Sequence, residues 1–210
     1  MRLGRAAGRV TLVELLLICV ILAVIGALAI PNWAASRRRA AEASAQTALK
    51  SIVSAQGTFR QCDHDRNGAQ DYWTIDVAGL YGIQDSNGRP VAAITAETAE
   101  MDSAPAVKYP GLRARGDLSG YVAIAMSSDE NKSTYVDPTL ARVTAAPLSG
   151  RIATNTSKYG FCAYPRVPSD GVVAQFVVNE EGVVYRIDGI PAPVVSYSSI
   201  CPPEPFLGSG

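Results

Sequence analysis

Histidine is almost missing from this chain: His64 is the only one in 210 residues. Imidazole is the commonest acid–base group near neutral pH, so catalysis of that kind is not expected. A Gly-rich phosphate loop, a nucleophile elbow and a metal-ligand cluster are missing too. Cys62 and His64 form a Cys-x-His pair, but two ligands without partners do not make a zinc site. The chain is therefore not expected to be an enzyme. Net charge is also absent, with 19 basic and 19 acidic residues. Composition is otherwise ordinary, without fibrous or disordered bias, and the length suits one domain with an appendage.

The neutrality hides a division. Arg2, Arg5, Arg9, Arg37, Arg38 and Arg39 lie in the first 39 residues, and Glu14 is the only acid there. The remainder holds 13 basic and 18 acidic residues, a net charge of −5. A basic flank around an apolar segment suits anionic lipid headgroups. An acidic body argues against nucleic acid as a partner.

Residues 10–30 read VTLVELLLICVILAVIGALAI, 21 residues with one charge. About 20 apolar residues suffice to cross a bilayer as a helix, so this segment is expected to be transmembrane. The competing reading is a cleaved secretory signal, for which Ala27-Leu28-Ala29 resembles a cleavage site. Arginines on both flanks leave the orientation open. Glu14 is the informative residue, because an ionisable group within a membrane segment is costly and points to function.

Val10-Thr11-Leu12-Val13-Glu14-Leu15, after a basic leader with Gly8 and with Pro31 seventeen residues beyond Glu14, resembles the N-terminus of type IV pilins and type II secretion pseudopilins. The resemblance covers about 30 residues. It implies a structural subunit of a pilus or secretion pseudopilus, anchored singly in the inner membrane with its large domain outside the cytoplasm. Its implied partners are copies of itself or related subunits, membrane lipid, a leader peptidase and methylase, and an assembly platform. Cutting after Gly8 would make Glu14 sixth in the mature chain. Cutting after Arg9 would make Val10 first and Glu14 fifth, the family's position. In the family the glutamate pairs with the terminal amine of a neighbouring subunit, and the proline kinks the helix. Opposite charges in low dielectric stabilise each other only if they meet, so Glu14 would set the register between subunits.

The expected fold is α+β: a long N-terminal helix, transmembrane in its first half and amphipathic in its second, packed on a C-terminal antiparallel sheet. The divisions are a leader at 1–9, the span at 10–31, the helix continuation at 32–57 and a globular domain at 58–210. Ala41, Ala45, Leu49 and Ile52 recur at helical spacing, and Gly57 is read as the stop signal. Arg37 to Arg39 are either a headgroup-level belt or a plain solvated run. Segments at 121–126, 159–164 and 172–178 read as strands, and 183–187 returns as a hairpin after Glu181-Gly182.

Asp63, Asp65, Asn67, Gly68 and Asp71 fit positions 1, 3, 5, 6 and 9 of a calcium loop, with Ala69 offering its carbonyl at position 7. The twelfth position is Thr74 where a bidentate acid belongs, and an Asp/Asn/Gly-rich surface turn uses the same residues. Calcium is thus the one candidate cofactor. A second functional reading follows: an anchored calcium- or ligand-binding module that does not polymerise. Cys19 is read as a small apolar residue. Cys62, Cys162 and Cys201 allow one disulfide and one free thiol. The pilin resemblance favours Cys162 with Cys201, and Cys62 with either remains the competitor.

Overall fold

Ala-, Leu- and Ile-rich sequence, broken only by Gly26, Pro31 and Gly57, favours one long helix. The computed structural model has it as α1, Leu12–Cys62. The structure describes residues 11–64, 69–84, 87–103, 109, 111–113, 115–126, 128, 135, 155–166 and 174–189. The chain divides into two compact units, Met1–Ala40 and Ala41–Gly210.

In the first unit the described large apolar side chains of α1 are all solvent-exposed, from 49% at Ile18 to 79% at Leu12. The expectation of a transmembrane half is corrected here. Among the described residues no helix is long and apolar enough to cross a membrane.

In the second unit, residues 41–62 of α1 bring Ala45, Ala48, Leu49, Ile52, Ala55 and Phe59 into the core, with Ala41 packed against it. The helical stripe read from the sequence is this buried face. Burying Leu49, Ile52 and Phe59 contributes roughly 1.5–3 kcal/mol each. The helix does not stop at Gly57. It runs one further turn to Cys62 because Phe59 in that turn is fully buried. The chain leaves it at Asp63, whose left-handed backbone (φ 44°) takes the position glycine usually fills after a helix.

The sheet follows the sequence closely. Strands β1 (Tyr121–Ala125), β2 (Gly160–Pro165), β3 (Ala174–Asn179) and β4 (Val184–Asp188) form an antiparallel meander in the order β1-β2-β3-β4. Each lies within about two residues of its expected place. The hairpin between β3 and β4 closes through Gly182 N–H donating to Asn179 O at 2.9 Å, with Gly182 left-handed at φ 74°. That conformation is what glycine supplies at little steric cost.

Strand alternation separates two apolar faces. Ala123, Phe161, Ala163, Phe176, Val178 and Val184 join the helix residues in the main core. Cys162 and Val177 turn the other way, into a smaller cluster with Met126 and Tyr135. Arg186 of β4 reaches Glu42 of α1 at 2.8 Å and Asp188 at 3.1 Å, and its guanidinium lies 5.9 Å from the Phe176 ring centre.

Residues 71–102 connect helix and sheet through two one-turn helices, α2 (Gly79–Gly82) and α3 (Ala96–Ala99). The connection is held by buried polar groups. The Gln56 amide accepts from Trp73 N–H at 2.9 Å and donates to Trp73 O. Gly79 and Gly82 let rings lie on the backbone: a Cβ at either would stand 2.3 Å from the Trp73 indole or the Tyr109 ring, respectively.

Candidate functional site

A helix leaves its first N–H groups without helical partners. Here Thr11 and Glu14 satisfy two of them reciprocally. Glu14 Oε2 accepts from Thr11 N–H at 2.8 Å and from the Thr11 hydroxyl at 2.9 Å, while Glu14 N–H donates to Thr11 Oγ1 at 3.3 Å. This is a capping box, and the negative charge lies where the helix dipole favours it. The signal was in the sequence, as Thr-x-x-Glu before an apolar run. Thr11 is therefore a residue that the reading of Glu14 alone missed. The Glu14 carboxylate is already hydrogen-bonded within its own helix, and it remains exposed.

Beyond this turn, residues 12–27 and Ile30 present exposed apolar surface around the single carboxylate. Cys19 is exposed in that stretch. Trp33 follows, 63% exposed, with the Arg37 guanidinium 4.7 Å from its ring centre. Arg38 and Arg39 are exposed as well. Pro31 lies inside α1. Gly8, Arg9 and Val10, the candidate leader junction, lie outside the described residues.

The body's buried acids hold its connecting segments. Asp76 Oδ1 accepts from Gly79 N–H at 2.7 Å and the Tyr109 hydroxyl at 3.0 Å. Asp102 Oδ2 accepts from Val77 N–H at 3.0 Å and Ala78 N–H at 3.2 Å. Glu100 Oε1 accepts from Arg113 N–H at 3.0 Å. These carboxylates satisfy backbone donors that would otherwise be costly to bury.

Of the calcium-loop residues, Asp63, Ala69 and Asp71 are described, and Asp65 and Asn67 are not. Asp71 is buried, at 1% exposure. Among the described residues no group of three or more His, Cys, Asp or Glu side chains is placed to hold a metal ion. His64 packs on Phe59, ring centres 5.9 Å apart, and its Nε2 has no hydrogen-bond partner among the described residues. Burial pushes the His64 pKa down, against an upward pull from Asp63. Cys62 is exposed and free. Cys162 is buried on β2 with Sγ 3.6 Å from Gln175 Oε1, and Cys201 lies outside the described residues.

No protein family, curated protein or solved structure matches the chain.

Proposed function

We propose that this chain is a structural subunit that polymerises through its N-terminal helix, in the manner of a type IV pilin or type II secretion pseudopilin. The observation that carries the proposal is the exposed apolar surface of α1, with one carboxylate fixed in its first turn. An apolar surface of this extent marks a surface that another molecule covers. The supported occupants are the same helices of further copies. Residues up to Gly8 or Arg9 are a leader that a peptidase removes, and Glu14 is the charge that sets the register between neighbours. Thr11 holds that carboxylate in place before a neighbour arrives.

Two substitutions test this. Glu14→Leu removes the carboxylate and is expected to leave the body folded while blocking filament formation. Glu14→Gln keeps the capping capacity, since a capping box accepts either side chain, but it loses the charge and is expected to block as well. Filaments of normal length from both variants would end the proposed role. Intact mass of the protein from its native host is expected to show loss of the residues before Arg9 or Val10.

A further inference from the structure

Charge in this chain is segregated along the boundary between its two units. Met1–Ala40 holds six arginines and one glutamate, a net +5. Ala41–Gly210 holds the remaining 13 basic and 18 acidic residues, a net −5. Two patches stand out within this division. One is the collar on α1, where exposed Trp33 lies under Arg37 and is followed by exposed Arg38 and Arg39. The other is the β3–β4 turn. There Glu180 is half-buried, Glu181 is exposed, and Val183 is 38% exposed. Beyond Trp33, Val183 is the only exposed large apolar side chain among the described residues.

The two patches are complementary. Each places an apolar side chain beside charges, and the charges are of opposite sign. The turn is rigidly presented: Asn179 Oδ1 accepts from Glu181 N–H at 3.2 Å, and the Tyr185 hydroxyl donates to Glu181 Oε2. Glu180 Oε2 is enclosed with no hydrogen-bond partner among the described residues.

We infer that the Trp33–Arg39 collar of one copy docks on the Glu180–Val183 turn of a second copy. This deepens the proposed function and rests on it, because it names the contact between the units of successive copies. A contact between two different patches is heterologous, so it repeats from copy to copy and gives an open filament where the rotation does not close a ring. Complementary charges of this kind steer encounter and fix register. A second copy is favoured over a lipid surface because the Glu180–Glu181 carboxylates and exposed Val183 of the turn match, in charge and in apolar character, the arginines and exposed Trp33 of the collar.

The test uses the chain as its native host processes it and measures self-association by sedimentation at about 50 mM and 500 mM salt, where screening differs strongly. At low salt the triple variant R37E/R38E/R39E is expected to associate about tenfold or more weakly than the unaltered chain. The single variant E181R is expected to act likewise. Mixing the two is expected to restore association, since the reversed charges again oppose each other. E181R lies at an exposed position, and its melting midpoint checks that the body is intact.

Association of the triple variant equal to that of the unaltered chain would overturn the inference while leaving helix-driven assembly standing. So would unchanged self-association accompanied by loss of binding to vesicles of anionic phospholipid, which would assign the collar to lipid. An unaltered chain that stays monomeric in both salts would remove the proposed function and this inference with it.

Discussion

Residues 12–30 and the body handle apolar side chains in opposite ways. In the helix, Leu12, Leu16, Leu17 and Leu22 are exposed by 59% or more. In the body, Leu49, Ile52, Phe59 and Trp73 are fully enclosed. The polar groups invert in parallel. Glu14 serves only its own first helical turn, whereas Gln56, Asp76 and Asp102 tie together segments 17 to 33 residues apart. One region is stabilised by local helix chemistry and leaves its apolar surface exposed. The other is stabilised by long-range packing that needs none.

The largest effect expected on this contrast comes from Gly79→Ala. Its methyl group would stand 2.3 Å from the Trp73 indole. Overpacking of this kind costs about 3 kcal/mol, so a denaturant titration should show the body unfolding far earlier. The helix at 12–30, which makes no use of Trp73, is expected to keep its capacity to associate.

Gln56→Ala is expected to cost about 2 kcal/mol, because it strips hydrogen bonds from both the buried N–H and the buried C=O of Trp73. A midpoint within experimental error of the unaltered chain would show that water replaces the amide.

A smaller effect depends on pH. Burial holds the His64 pKa below its ordinary value, so the unfolded chain takes up the proton first as pH falls. The stability present above the unfolded value near 6.5 is therefore lost as pH drops through the folded value. His64 is the only histidine, which makes its ring signal easy to follow by NMR. His64→Asn is expected to flatten stability between pH 7 and pH 5, and an unchanged slope would assign it to carboxylates.

Much of the body was legible because its chemistry is local. Alternation in YVAIA, GFCAYP and AQFVVN, and the Glu181-Gly182 turn, gave the strands and the last hairpin. The stripe of Ala45, Leu49 and Ile52 gave the buried face of α1. Within the body, what the sequence did not show was decided by tertiary packing. Gly57 looked like a stop until Phe59, two residues on, was drawn into the core. Gly79 and Gly82 carry no local sign that Trp73 and Tyr109 lie on them. Thr11 was the exception, a local signal overlooked beside the more conspicuous charge of Glu14.

The central claim is that the exposed helix, and not the body, drives association. The direct measurement compares sedimentation of the chain as processed in its native host with that of the double variant L16R/I21R, whose sites are 59% and 50% exposed. Exposed substitutions away from the body should change its stability by no more than about 0.5 kcal/mol. Long polymers are expected from the unaltered chain and monomers from the variant, with equal melting midpoints for the body. Polymers from both, or monomers from both, would contradict it.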